Sequence, residues 1–194
     1  MKDLPTPPDP IGFLRSLRAV RRYASTPVPD EVLQDILEVG RWTGSGKNSQ
    51  PWEMVVVRDP NTLRELAGLG PFASHLSGAA FAVAVIMASP NNQLDAGRLA
   101  ERLMLAAWCR GVGSCIGSIS SAENERLAKQ RLGVPAERQL RTTIAFGYPA
   151  DAGAIRVRAT PEIAAVLPSA GRKPLSAIAH LETYGAPWQA GGTA

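Results

Sequence analysis

Ser45-Gly46-Lys47-Asn48-Ser49-Gln50-Pro51-Trp52 is the stretch that decides how this chain is read. A helical pattern ends just before it, at Trp42, and an apolar β-like run, Met54-Val55-Val56-Val57, begins just after it. The stretch therefore joins a helix to a strand through short polar side chains, a glycine and a series of backbone amides. A turn of this kind is either an ordinary capped connection or a place where N–H groups and side-chain amides converge on a ligand.

Upstream, Ile11, Leu14, Leu17 and Val20 fall at helical spacing from Pro10, and the same stretch carries Arg15, Arg18, Arg21 and Arg22. Three apart on a helix, Arg18 and Arg21 would share a face. Pro27 and Pro29 break the pattern. Asp30 and Glu31 then place negative charge in the first turn of the next helix, where the helix dipole favours it, ahead of an apolar face of Val32, Leu33, Ile36, Leu37 and Val39.

Downstream, residues 54–57 read as a strand buried on both faces. Asp59-Pro60-Asn61 opens a short helix, and residues 79–87 read as a second buried strand. A long helix is expected over residues 95–110. It carries Leu99, Leu103, Ala106 and Ala107 on one stripe and Met104, Leu105 and Trp108 on its other side. Apolar surface on both sides implies burial in the core or against a partner subunit. Residues 112–119 read as a short Gly/Ser-rich strand, 121–132 as a polar helix, 140–146 as a strand and 174–182 as a last short helix. Residues 150–171 read as irregular. The order of elements predicts an α+β fold, with a mixed sheet and helices on its faces.

Composition narrows the function. The chain has 194 residues, 45% hydrophobic and 20% charged, with a net charge of +4. That suits one globular domain, here residues 10–185 between an N-terminal arm (1–9) and a C-terminal tail (186–194). No run approaches the ~20 apolar residues of a membrane span, and the N-terminus has no apolar signal-peptide region. Cys109 and Cys115 fit a reducing cytoplasm, and both read as packed rather than reactive. The 21 Lys and Arg are scattered, so nucleic acid is not an expected partner. His75 and His180 have no Cys, His or Asp at ligand spacing. Both read as surface or helix-end residues, His180 late in the last helix, and no metal site is expected. No Gly-x-Ser-x-Gly elbow or Walker loop occurs, and Gly111-Val112-Gly113 follows a helix rather than a strand, which excludes the dinucleotide fingerprint. With neither a nucleophile nor a general base in evidence, enzymatic chemistry would reside in a bound organic cofactor.

Two basic clusters flank the polar loop in sequence: Arg18 with Arg21, and Arg172 with Lys173. Each alone reads as a solvated surface. Together they would suit a ligand with a phosphate at one end and a polar ring at the other, since the guanidinium fork donates parallel hydrogen bonds. The ordered set of motifs adds to this. Arg18-Ala19-Val20-Arg21-Arg22-Tyr23, Pro27 to Leu33, Ser45-x-x-Asn48-Ser49-Gln50-Pro51-Trp52, Leu103 to Ala107 with Gly111-Val112-Gly113-Ser114, Gly147-Tyr148-Pro149 and Arg172-Lys173-Pro174-Leu175 resemble the nitroreductase family of FMN-dependent oxidoreductases.

The resemblance implies a nitroreductase-like α+β sandwich with a mixed, mostly antiparallel sheet flanked by helices, forming an intertwined homodimer with FMN at the subunit interface. It implies cofactor contacts from Arg18, Ala19, Val20 and Arg21, from Ser45 and Asn48, from Ile116, Gly117, Ser118 and Ile119, and from Arg172 and, less directly, Lys173. Gln50 would support the loop. No side chain is expected to be catalytic, and Arg21 is the candidate stabiliser of the reduced flavin. The implied reaction is a ping-pong hydride transfer from NAD(P)H through flavin N5 to an electron-poor small molecule such as a nitroaromatic or quinone. The same flavin fold also suits dehalogenation, flavin breakdown, metabolite dehydrogenation or a non-enzymatic redox sensor. The chain departs from the family pattern at Leu17 and Ala19 and at Gly44, where a proline is usual. Its short segment between Ile119 and Leu140 leaves little room for a helical lid.

Overall fold

The structure, a computed structural model, describes residues 9–151 and 172–188. They fall in two compact units, within Met1–Arg156 and Val157–Ala194. The expected N-terminal arm and the segment 152–171 lie almost wholly or wholly outside the described residues.

The first unit is a four-stranded sheet with helices on both faces. In chain order its elements are α1 (Pro10–Ser16), α2 (Asp30–Arg41), β1 (Trp52–Val57), α3 (Pro60–Ala67), β2 (Phe81–Met87), α4 (Gln93–Cys109), β3 (Gly113–Ser118), α5 (Ala122–Leu132) and β4 (Gln139–Gly147). The strands lie in the order β1-β2-β4-β3, all antiparallel. One parallel bridge, Ala19 to Ser114, makes the sheet mixed at the outer side of β3.

Alternation along β2 sets the layers. Phe81, Val83, Val85 and Met87 face one side, where they meet Ile36 of α2 and Leu99 and Leu103 of α4. Ala82, Ala84 and Ile86 face the other, against Leu63 and Leu66 of α3 and Ala128 of α5. A strand with side chains buried on both faces must carry apolar residues throughout, and every residue of β2 is buried. Phe81 and Phe146 stack across the β2–β4 pair with ring centroids 4.8 Å apart, a contact worth about 0.5–1.5 kcal/mol beyond area burial. Gly40 allows α2 to approach α4 closely: a Cβ there would stand 2.6 Å from Leu103 Cδ2.

The helix ends follow their capping residues. Asp59 Oδ2 accepts from the Thr62 N–H at 2.8 Å to start α3. Ser121 Oγ accepts from the Asn124 N–H at 3.0 Å to start α5, and Gly133, at φ 67°, ends it. Glu125 of α5 is buried. Its carboxylate accepts from the Leu140 N–H at 2.9 Å and from Arg141 Nε at 3.2 Å, tying α5 to the start of β4.

Four expectations need correction. The first helix stops at Ser16, because Leu17 adopts ψ 129° and the chain turns extended to join β3. β1 is an edge strand whose faces are only partly covered: Met54 and Val56 pack on one side of the sheet and Val55 on the other, and Val57 alone is buried. The last helix is reduced to a 3-10 turn, Leu175–Ala177, and His180 stands beyond it in a bridge to Pro187 with its ring 4.7 Å from that of Tyr184. Cys109, read as packed, is exposed at the end of the long helix.

Candidate functional site

The segment Arg18–Arg21 is held along the outer side of β3. The Val20 N–H donates to the Ser114 carbonyl at 2.9 Å, and the Val20 side chain fills the space above Gly113, where a Cβ would stand 2.7 Å from Val20 Cβ. The Tyr23 hydroxyl donates back to the Val20 carbonyl at 2.5 Å, and the Ala24 N–H donates to Tyr148 at 2.8 Å. The backbone of residues 19–24 is thus fixed between β3 and the end of β4. Because the segment is extended, Arg18 and Arg21 do not share a helix face. Arg18 turns back and donates from Nη1 to the carbonyls of Arg15 and Leu17, at 2.7 and 2.8 Å, closing the end of α1. Arg21 remains exposed, with no carboxylate partner among the described residues.

Beneath Arg21 lies a group that the sequence does not announce. His75, in the 3-10 turn Ser74–Gly78, is buried rather than at the surface, with Nε2 3.2 Å from the Cys115 carbonyl. Burial lowers its pKa and the Arg21 charge adds to this, while bonds to the Cys115 and Phe72 carbonyls oppose it. Burial raises the Cys115 thiol against the pull of the Arg21 guanidinium, which also bonds to it. Burial and the neighbouring Cys115 push the Tyr23 phenol far above its usual range. All three stay uncharged at neutral pH, so Arg21 carries the local charge. No spacing in the sequence signals this meeting, which the bridges of Ala19 and Tyr23 and the His75–Cys115 bond create.

Ser114 directs its carbonyl away from β4, and in an antiparallel pair Ile116 and Ser118 share that parity. Past Ser114, no described segment pairs with this edge. Ile116 is 43% exposed, whereas Gly117 is buried beneath Ala73, its carbonyl accepting from Thr143 Oγ1 at 2.9 Å. The side chains of Val20 and Ile119 are committed to packing, and the Val20 N–H, the Val20 carbonyl and the Ile119 N–H are already bonded to Ser114, Tyr23 and Arg141. Gly70 lets the neighbouring loop press on Ser118: a Cβ at Gly70 would stand 2.0 Å from the Ser118 carbonyl oxygen.

The Ser45–Trp52 loop is braced and strained. Ser45 Oγ accepts from the Gln50 N–H at 2.8 Å, and Gln50 Nε2 donates to Asn48 Oδ1 at 3.3 Å, the supporting role expected of Gln50. Lys47, Asn48 and Gln50 have φ of 54°, 54° and 45°, three non-glycine residues in the left-handed region. Such geometry persists only where surrounding bonds impose it, and it concentrates at functional sites.

The candidate ligands of this unit thus form two groups. Arg18–Arg21 and residues 116–119 lie together at the β3 edge. Ser45 and Asn48 lead into β1 at the opposite edge, across three strand spacings, or roughly 14 Å of sheet. Arg172 and Lys173 belong to the second unit, where both are exposed. Among the described residues no group of His, Cys, Asp or Glu could hold a metal ion, and no helix is long and apolar enough to cross a membrane.

A helix-flanked antiparallel sheet with an open, donor-rich edge and a strained polar loop defines an α+β ligand-binding domain. The sequence profile of the nitroreductase family matches residues 14–71 and 79–148, and the chain belongs to that family. A protein of Archaeoglobus fulgidus described as an NADH dehydrogenase/NAD(P)H nitroreductase is 29% identical over 150 residues, 73% of this chain and 86% of the relative. The solved structure of an FMN-dependent nitroreductase from Clostridium difficile superposes with a TM-score of 0.68 at 27% identity, covering 73% of this chain and 88% of its own. A Bacillus subtilis structure described as a hypothetical oxidoreductase superposes at 0.73 with 21% identity, covering 90% of this chain and 74% of its own, and shares the fold.

Proposed function

We propose that the protein is an FMN-dependent NAD(P)H oxidoreductase acting on electron-poor small molecules such as nitroaromatics or quinones. The observation that carries this reading is the β3 edge: an exposed Arg21 with no carboxylate partner among the described residues, beside the strand-edge backbone of Ile116, which no described segment pairs. This donor set suits the acceptor-rich pyrimidine edge of a flavin, so the residues present fit the cofactor. When bound, FMN supplies the hydride relay between reduced nicotinamide and acceptor.

The chain's own part is to hold and polarise. The fixed backbone at Val20 and Tyr23 places the Arg21 charge at one spot. In a water-poor crevice such a preorganised charge acts more strongly than in bulk water. The half-exposed Ile116 gives a flat apolar surface beside it. Ser45 and Asn48, at the far edge of the same sheet, reach a shared site when a second copy presents its loop to this edge. We therefore infer a homodimer.

Releasing the chromophore of the purified protein by heat and identifying it by mass tests the reading, together with NADH and NADPH oxidation against a panel of nitro, quinone and halogenated acceptors. A colourless protein with no affinity for added FMN sinks it. A yellow protein that turns over none of the panel leaves the flavin and removes the proposed reaction.

A further inference from the structure

Four titratable side chains meet at the β3 edge: Arg21, Tyr23, His75 and Cys115. At neutral pH the guanidinium, the phenol and the thiol already hold every proton they can. Only the imidazole can gain one, and it is 7% exposed. The Cys115 carbonyl lies 3.2 Å from its Nε2, and the Phe72 carbonyl also accepts from the ring. A neutral imidazole brings one N–H to these two acceptors, whereas an imidazolium brings two. The surrounding carbonyls therefore suit the charged ring, and burial and the Arg21 charge stand against it.

Other charged groups on the elements packed against this turn are committed elsewhere. Next to Arg21 in the chain, Arg22 holds Asp151. On α3, Arg64 bonds to Asn61 and Glu65 holds Arg131. On β4, Arg141 is held by Glu125. In the turn itself Ser77 Oγ donates to the Ser74 carbonyl at 2.7 Å, and neither serine titrates in this range. Arg21 is the charge that reaches the imidazole and disfavours its protonation. An anion seated against the Arg21 guanidinium cancels that field and leaves the two carbonyls to draw the proton in.

We propose that His75 takes up one proton when negative charge settles against Arg21, and then donates both ring N–H groups to the Cys115 and Phe72 carbonyls. That this charge is the reduced ring of FMN rests on the flavin reading above; the coupling of His75 to Arg21 does not. Hydride delivers two electrons and one proton to the cofactor, which leaves one negative charge beside Arg21. A second proton then passes from solvent to the imidazole, forming an N–H bond and breaking none in the protein. It returns to solvent when the acceptor withdraws the electrons. The net charge of the site is thus the same in both states, which spares a water-poor crevice an unbalanced charge. His75 acts through Arg21 and is a positioning residue.

The test is nuclear magnetic resonance of the imidazole nitrogens, followed from about pH 5 to 9 in the full-length protein, as purified and after reduction with dithionite. The chain has two histidines, so His180→Gln assigns the spectrum without touching the site. The His75 midpoint should rise on reduction while that of His180 stays. The flavin midpoint potential gives a second readout. Between the two His75 midpoints the wild type should follow the slope of two protons per two electrons, and His75→Gln a slope about half as steep. A His75 midpoint that ignores reduction, or a His75→Gln slope equal to that of the wild type, overturns the proposal and leaves the flavin reading standing. For a colourless protein the probe is inorganic sulfate, which keeps its charge over this range. A His75 midpoint that rises with sulfate, and no longer does so in Arg21→Gln, upholds the coupling and sinks the flavin reading alone. A colourless protein whose His75 ignores sulfate sinks both.

Discussion

The imidazole Nε2 of His75 lies 3.2 Å from the carbonyl oxygen of Cys115, 40 positions away in the chain. This bond, with the contacts of Gly70 on Ser118 and of Ala73 on Gly117, ties the loop after α3 to the edge strand β3. The imidazole is held neutral by burial, so its folded pKa lies below the unfolded value. A histidine depressed in this way gives stability that is fully present above the unfolded pKa, about 6.5, and is lost as pH falls through the folded one. Unfolding free energies from urea titrations should therefore decline as the pH drops below neutrality. His75→Gln should flatten that decline, and an unchanged slope would remove His75 from the account.

Glu125 acts in the same direction at lower pH. Burial opposes its charge, yet the Leu140 N–H, Arg141 and Lys129 together keep its pKa below the usual carboxylate value. Its contribution is present above the unfolded pKa of about 4.3 and is lost as pH falls through the folded value. Glu125→Ala leaves the Leu140 N–H without its partner, at a cost of about 1–3 kcal/mol. Glu125→Gln should recover much of this. Chemical denaturation at pH 7 and pH 4 separates the two variants.

Arg21→Ala removes an exposed charge held beside the β3 edge at Cys115. The expected outcome is weaker FMN retention and a more negative flavin midpoint potential, measured by ultrafiltration and by dye-coupled reduction. Unchanged flavin content and potential would count against the proposed role.

Gly70→Ala tests the contact between the loop and the strand. The added Cβ meets the Ser118 carbonyl, which is backbone and cannot swing aside. Overpacking of this kind costs about 1–3 kcal/mol. Hydrogen exchange should quicken in residues 68–78 and in β3 while α2 and α4 stay protected. Uniform exchange throughout would show that the contact is not local.

Much of the fold was legible in the chain because local chemistry dictates it. The unbroken apolar run of β2, the Ser121 cap and Gly133 stop of α5, and the acidic first turn of α2 are all signals carried by neighbours in sequence. The candidate site was legible as a set of residues through resemblance, since motifs retain their order. Its geometry was not. Arg18 and Arg21 were expected on one helix face, but Val20 pairs with Ser114, a partner 94 positions away, and that long-range bond overrides the helical spacing. The valines of β1 look fully buried by composition, yet composition does not tell an edge strand from a central one. His75 carries no local signature, because its partner is a backbone carbonyl, which every residue has.

The three left-handed residues Lys47, Asn48 and Gln50 have a consequence for anyone trying to make this enzyme withstand heat. Glycine adopts such angles without steric penalty, so Lys47→Gly or Asn48→Gly should raise the melting temperature, relief of strain outweighing the added chain entropy. The same exchange slackens the one connection whose rigidity the proposed turnover needs. Thermal scans and NADPH oxidation, run side by side, should move in opposite directions. A selection scheme that rewarded durability alone would therefore drift, at these positions, towards a sturdier and slower catalyst.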